Sequence, residues 1–393
     1  MSEKVRYYLE QSVAELQDLK KRGIFEENEL KIIMRRRTDY EHRITSRTAK
    51  STDFLSYANH EINVEKLRAL RLKRLRKGGS ITGSGVSDWA GSRRISFILD
   101  RATKKFPRNL SLWIRLIEYA KEQNSPNVVN KSMSSMLKFH PTNPEVWVFV
   151  AKYQAENNAS IQEARAVLQR GLRFNADSSY LWLEYMRLEL IYAAKILARR
   201  KLLGIKSAHS IENGELKKPS QLDFSAFDVA AAEKELNNLP DINIDILGDM
   251  SSNPVLRGEV ALAVFDAAIN QVEADDQIEF CKQSLEILEN FTVFDRIHLS
   301  NHIIQWAEAN RPGDSRVHLW RLSLPVRYCS NVSVELPQQL RLLFNLYSKM
   351  SSHPREVKEL LREYLTDRFL LGSASAELDQ SLKQAVELFI RQM

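Results

Sequence analysis

Cysteine, glycine and proline are all scarce in this chain, and each scarcity removes a class of protein. The two cysteines, Cys281 and Cys329, lie 48 residues apart among 393. They exclude a disulfide framework and any CxxC metal or redox motif, and they point to a reducing compartment, cytosol or nucleus. Thirteen glycines and eleven prolines are too few for a turn-rich β fold or a largely disordered chain. No long apolar run is present, so no membrane span and no membrane partner are expected. The first six residues, 1–6, lack the apolar stretch of a signal peptide, and the chain reads as soluble and intracellular.

Catalytic patterns are missing as well. Gly78, Gly79, Gly83, Gly85 and Gly91 contain a G-x-G triplet, but no lysine follows to complete a phosphate loop, so the stretch reads as a flexible loop. There is no G-x-S-x-G elbow. His298 and His302 are four apart and share a helix face, but no glutamate stands between them and no third ligand is near. They read as packed or solvent-facing histidines. The expectation is a non-enzyme with no metal, no cofactor and no small-molecule substrate.

What is present is a period. Leu112-Trp113, Val146-Trp147 and Leu181-Trp182 are separated by 34 and 35 residues, the length of one helix–turn–helix unit. Trp182 has Tyr185 at +3 and Glu189 at +7, whereas Trp113 and Trp147 have Tyr119 and Tyr153 at +6. Pro107 and Pro141 stand six residues before their tryptophans, preceded by Phe106 and by Phe139-His140, and the third unit keeps Phe174 without the proline. Proline there ends one helix and starts the next, and Asn109, Asn143 and Ser178 are candidate caps. A further copy has phenylalanine in the anchor place, with Phe54, Tyr57 and Glu61 repeating the +3 and +7 spacing. The eight repeat anchors are thus Phe54, Tyr57, Trp113, Tyr119, Trp147, Tyr153, Trp182 and Tyr185. Their rings can stack nucleobases, but a fixed place in an apolar helix pair favours core packing, worth roughly 4–6 kcal/mol per indole at most.

The expected fold is all-α, a right-handed solenoid of tetratricopeptide-like helix pairs. Five stretches follow: an N-terminal helical region with a first degenerate repeat over 1–77, a Gly/Ser-rich loop over 78–92, regular repeats over 93–204, a polar insert over 205–254 and degenerate repeats over 255–393. Residues 1–22 read as one amphipathic helix with Val5, Tyr8, Leu9, Val13, Leu16 and Leu19 on its apolar face. One helix is expected inside the insert, over 229–236. Pro312 precedes Trp320 by eight positions, so Trp320 is read as opening a weak unit.

The net charge of +7 is unevenly spread. Between residues 66 and 77 lie Lys66, Arg68, Arg71, Lys73, Arg74, Arg76 and Lys77, and no acid, while Leu67, Leu70, Leu72 and Leu75 supply an apolar side. Arg35, Arg36 and Arg37 form a second cluster, of which at most two can point outward together. These ten cations are candidates for contact with RNA phosphates or an acidic partner. A solvated face, an import signal and, for the triplet, internal salt bridges are the competing readings. Phosphate contact of this kind carries no sequence specificity.

The pattern W-x-x-Y-x-x-x-E inside a 34-residue helical pair resembles the half-a-tetratricopeptide (HAT) repeat. The runs Val5-Arg6-Tyr7-Tyr8-Leu9-Glu10-Gln11, Arg22-Gly23-Ile24-Phe25 and Ile32-Ile33-Met34-Arg35-Arg36-Arg37-Thr38-Asp39-Tyr40-Glu41 resemble the U3 small nucleolar RNA-associated protein 6 family, as do Asp53-Phe54-Leu55-Ser56-Tyr57 and Glu61-Ile62-Asn63. The resemblance covers roughly residues 1–190. It implies a nucleolar scaffold of the small-subunit processome, within the UTP-B subcomplex, acting in pre-ribosomal RNA processing and 40S assembly. It also implies WD-repeat propeller proteins and the U3 RNA/pre-rRNA assembly as partners. Two alternatives remain open. One is a direct single-stranded RNA reader, against which stand the dissimilar residues beside the anchors, Arg115, Phe149 and Glu184. The other is a HAT scaffold of splicing or polyadenylation.

Overall fold

The computed structural model describes residues 3–77, 83, 85–202, 253–329, 335–349, 355–371 and 380–392. The fold is all-α: among the described residues there is no strand, and helices succeed one another through short turns. Most of the polar insert, with the helix expected over 229–236, lies outside the described residues. The chain divides into two compact units, Met1–Pro141 and Thr142–Met393. The division falls inside the block of regular repeats.

The first unit comprises α1 (Glu3–Glu10), α2 (Val13–Lys21), α3 (Glu27–Thr45), α4 (Ser51–Lys77), α5 (Ser87–Lys105), α6 (Leu110–Glu122) and α7 (Pro126–Phe139). The single helix expected over 1–22 is two. Ser12 turns its hydroxyl back onto the Leu9 carbonyl at 2.7 Å, and its amide reaches the same oxygen. That local bond competes with the helical ladder and leaves Val13 exposed rather than packed. The Gly/Ser-rich stretch is shorter than expected too, because α5 already begins at Ser87. Its first turn is held from outside by Asp18, which accepts the Ser87 amide at 2.9 Å, and from within by Asp88, which accepts the Gly85 amide at 2.9 Å.

Two apolar clusters stand out among the described residues of this unit. Leu19, Ile24, Phe25, Leu30, Ile33 and Leu72 form one. Ile44, Phe54, Tyr57, Ile95, Leu99, Leu112 and Tyr119 belong to the other.

The second unit comprises α8 (Pro144–Glu156), α9 (Ile161–Phe174), α10 (Ser179–Leu202), α11 (Glu259–Ile269), α12 (Gln277–Glu289), α13 (Arg296–Asn310), α14 (Ser315–Arg327), α15 (Leu336–Lys349), α16 (Arg355–Leu365) and α17 (Gln380–Gln392). α10 packs on α11 although the two are far apart in sequence. Leu340, Leu343, Leu361, Phe369 and Val386 close the C-terminal core.

One turn recurs at four helix ends. Phe106, His140, Asn175 and Arg311 each end a helix with φ between −137° and −126° and ψ between 53° and 64°. Asn109, Asn143 and Asp314 then cap the next helix, each accepting an amide two residues on, which satisfies a donor the helix cannot. The seventh residue after the turn is Trp113, Trp147, Trp182 and, in the last copy, His318. The anchor place of the degenerate unit therefore belongs to His318, and Trp320, although buried, is two positions out of register.

Within the regular copies the anchors have equivalent surroundings. Trp113 donates its indole N–H to the Pro107 carbonyl at 2.9 Å, and Trp182 donates to the Ala176 carbonyl at 3.0 Å, six residues upstream in both cases. Each phenylalanine at a turn covers the preceding anchor. Phe139 stacks on Trp113 and Phe174 on Trp147, both with centroids 5.9 Å apart, and Phe106 meets Phe54 edge-on at 6.0 Å.

Gly171 on α9 shows how tightly the Trp147 ring is held: a Cβ there would lie 2.8 Å from the indole Cγ. Alanine ordinarily stabilises a helix interior by about 0.5–1 kcal/mol relative to glycine. At residue 171 the rigid ring cannot retreat, so Gly171→Ala is expected to destabilise by about 1–3 kcal/mol. Trp147→Ala should cost about 3–5 kcal/mol. Urea unfolding followed by circular dichroism checks both signs; an alanine at 171 that raises the midpoint would refute the packing described.

Candidate functional site: a cationic helix over a buried ionic cluster

Along α3 the inward positions run Leu30, Ile33, Arg37, Glu41, Ile44, and along α4 they run Phe54, Tyr57, Glu61 and, further on, Arg68 and Leu72. Charge thus sits between the two apolar clusters, and it is balanced. The Arg37 guanidinium grips the Glu61 carboxylate with two parallel bonds, Nε–Oε1 and Nη2–Oε2, both 2.8 Å. Arg94 on α5 approaches Glu61 at 3.4 Å and pairs with Glu15 on α2, which also lies 3.5 Å from Arg37. Four helices therefore meet at two arginines and two glutamates. Arg37 is 1% exposed, so it is not the RNA contact that the sequence suggested. Burying a charge costs several kcal/mol unless it is paired, and this pairing is what permits it.

Burial pushes the Glu61 carboxyl up, but the Arg37 charge and its hydrogen bonds, aided by Arg94, outweigh that and hold it below the usual carboxylate range. Burial likewise opposes the Arg37 charge, and Glu61 and Glu15 more than restore it.

The same motif is complete in the second unit. Arg165 grips Glu189 through Nε–Oε1 at 2.6 Å and Nη2–Oε2 at 2.5 Å. Arg37 precedes Phe54, and Arg165 precedes Trp182, by 17 residues. The glutamate at +7 is thus the receptor for a guanidinium fork on the preceding helix. Trp113 and Trp147 lack it, having Ser96 with Ala120, and Asn130 with Gln154, at the matching positions. No functional role had been expected for Glu15, Arg94 or Arg165, yet the shared spacing of Arg37 and Arg165 from their anchors was readable in the sequence.

The basic run on α4 splits in two. Arg68 turns inward to Glu65 and, at 2.8 Å, to Asp88. Arg71 chelates Glu29 at 2.6 and 2.7 Å and lies over the Phe25 ring. Arg76 approaches Asp88 at 3.7 Å, as Arg22 does at 3.2 Å. These three cations fasten the helices. Lys66, Lys73, Arg74 and Lys77 are exposed and make no ion pair among the described residues, and the same holds for Arg35 and Arg36 on α3. The leucines also differ from expectation. Leu72 is buried, but Leu67 and Leu70 are 42% and 57% exposed. The inward phase set by Phe54, Tyr57 and Glu61 continues through Arg68, Leu72 and Leu75, which turns Leu67 and Leu70 out.

Among the described residues no three His, Cys, Asp or Glu side chains gather as metal ligands. His302 binds Asp266 at 2.8 Å, and His298 is exposed. No described helix is long and apolar enough to cross a membrane.

Comparison with known proteins gives this geometry a context. Residues 9–94 match the family model described as U3 small nucleolar RNA-associated protein 6. That span holds Glu15, Arg37, Glu61 and Arg94 together with every cation of α4. A Schizosaccharomyces pombe protein named U3 small nucleolar RNA-associated protein 6 is 36% identical over 294 residues, covering 74% of this chain and 58% of that protein. The chain belongs to this U3-associated family. The Homo sapiens homologue is 30% identical over 213 residues, covering 54% of this chain and 35% of its own length. The Mus musculus homologue is 32% identical over 199 residues, covering 50% and 32%. The matched part of the chain thus spans between about a third and three fifths of these relatives. Residues 99–201 match the PRP39 N-terminal HAT repeat, a span that holds the Trp113, Trp147 and Trp182 copies, whereas the Phe54 copy lies within the U3-associated region.

Removing one partner of a buried pair leaves the other charge stranded, at a cost of about 3–5 kcal/mol. Glu61→Gln should therefore lower stability by about that much, whereas Glu189→Leu should cost more alone than together with Arg165→Met. A double-mutant cycle in denaturant reads this directly.

Acid should act on the same contacts. Glu29 is pulled from its ordinary 4.5 to about 2 by the Arg71 hydrogen bonds, and Glu61 is also depressed. Their contribution is whole at neutral pH and is lost as pH falls from about 4.5 towards 2. In Glu61→Gln the midpoint should fall less steeply over that window than in the parent chain; equal slopes would refute the assignment of Glu61.

Proposed function

We propose that the chain is a non-enzymatic scaffold of the small-subunit processome, in its UTP-B subcomplex, acting in pre-ribosomal RNA processing and 40S assembly in the nucleolus. The observation that carries this reading is the match of residues 9–94, which contain the ionic cluster and the cationic helix, to a family named for U3 small nucleolar RNA. Helix pairs locked internally by forks and aromatic wedges offer faces for docking, and WD-repeat propeller proteins are the partners proposed for them. The repeats over 99–201 are shared with PRP39, so the repeat alone does not separate this reading from a splicing scaffold; the N-terminal region does.

A repeat-by-repeat RNA reader finds little support. Trp113 and Trp147 are buried, so their faces are not free to stack bases. The positions beside the anchors carry unlike chemistry: Arg115 pairs with Glu118, Phe149 is aromatic, and Glu184 holds Arg187 and Lys152. Contact with RNA, where it occurs, falls to Lys66, Lys73, Arg74, Lys77, Arg35 and Arg36 through phosphates.

Affinity purification of the tagged chain should recover U3 RNA and propeller proteins together. The isolated chain should bind single-stranded RNA weakly and without sequence preference. Four phosphate contacts on α4 would give a slope of log affinity against log salt of about −3. Salt-resistant, sequence-selective RNA binding by the isolated chain would overturn the scaffold reading.

A further inference from the structure

We propose that the outward face of α4 is a docking site for an acidic amphipathic helix of a partner protein. This deepens the scaffold reading and rests on it. At 100° per residue, Lys66, Leu67, Leu70, Lys73, Arg74 and Lys77 fall within an arc of about 120°. The arc contains no acid, since Glu61 and Glu65 lie on the opposite side with Arg68 and Leu72. It extends about 16 Å along the axis, three turns of a helix laid against it.

Two observations select the occupant. The first is charge. α5 and α3 supply Asp88 and Glu29 to the inward and lateral arginines, whereas the four outward cations have no carboxylate partner among the described residues. A complementary surface must bring several. The second is apolar area. Leu67 and Leu70 stand exposed in the middle of the cations, and the lysine stems beside them extend the same apolar strip. Phosphates would satisfy the charges and leave both leucines wet. A helix with apolar residues at i, i+3 or i+4 and i+7, flanked by Asp and Glu, covers both at once.

The test uses the full chain and a designed helical peptide of that pattern, leucines on one stripe and glutamates beside it, with oligouridine as the competing probe. Fluorescence anisotropy should show saturable peptide binding. Leu67→Ser with Leu70→Ser should weaken it by roughly tenfold or more and leave oligouridine binding unchanged, with circular dichroism melting confirming the fold. Lys73→Glu with Arg74→Glu should weaken both probes. A peptide that does not bind the parent chain, or that binds the serine variant as tightly, overturns the proposal; oligouridine binding that depends on the leucines overturns it in favour of RNA. Recovery of U3 RNA with the tagged parent chain is read separately, and its failure overturns the scaffold reading instead.

Discussion

A guanidinium fork closing on a buried carboxylate, between two helices of one unit, is the constraint on which this protein's architecture depends. Apolar side chains are tolerant of rotation and sliding, because area buried is nearly the same in neighbouring registers. Two parallel hydrogen bonds are not. The Arg37–Glu61 and Arg165–Glu189 pairs fix both the height and the azimuth of one helix against the next. Such a pair contributes little net stability over a hydrophobic replacement. What it contributes is a single register, which a stack of helices needs because an error in one unit is passed to its neighbour.

The two intermediate copies manage without the fork, and the reason lies in their rings. Trp113 and Trp147 are wedged between helices and covered by Phe139 and Phe174. An indole with a fixed hydrogen bond or a glycine pressed against it, as at Pro107 and Gly171, also has one way to sit. Phe54 fills less space and has no donor, and it is in that copy that Arg37, Glu61, Arg94 and Glu15 all converge. Trp182 has both devices, at the head of the long α10. The motif glutamate is thus one of two alternative ways of fixing register rather than a fixed requirement of the repeat.

Much of this was legible in the residues. The period, the capping asparagines and the aromatic turn residues placed the helix pairs correctly, because each is a local property of backbone hydrogen bonding. The inward direction of α4 was also available, since extending the phase of Phe54, Tyr57 and Glu61 leads to Arg68 and Leu72 and away from Leu67 and Leu70. Counting leucines hid it. The triplet Arg35 to Arg37 is a harder case. One of three adjacent cations must turn inward, and composition cannot say which; only the matching distance of Arg165 from Trp182 marks Arg37. Ser12 and Ser87 were illegible for a different reason. The helix ends there are set by groups distant in sequence or by a side chain's choice between solvent and carbonyl, neither of which leaves a periodic trace. The turn at Arg311 assigns its anchor by backbone geometry, whereas the eye is drawn to the nearby Trp320.

The inward arginines also decide what the outer surface can do. Arg37 and Arg94 are matched by Glu15 and Glu61, and Arg22, Arg68 and Arg76 by Asp18, Asp88 and Glu65, so both clusters are neutral within themselves. The chain's surplus of positive charge must therefore lie outside them, on cations such as Lys66, Lys73, Arg74 and Lys77. Lys73, Arg74 and Lys77 lie within about 6 Å of one another along the axis, less than the Debye length of about 8 Å at physiological salt, so these neighbouring charges act together on a partner. They are also carried by a helix whose inner side is clamped by Arg68 and Arg71, which removes most of the backbone freedom that a docking surface would otherwise lose on binding. Neutrality within and rigidity beneath are what turn a basic run, common in any sequence, into a surface with a fixed shape.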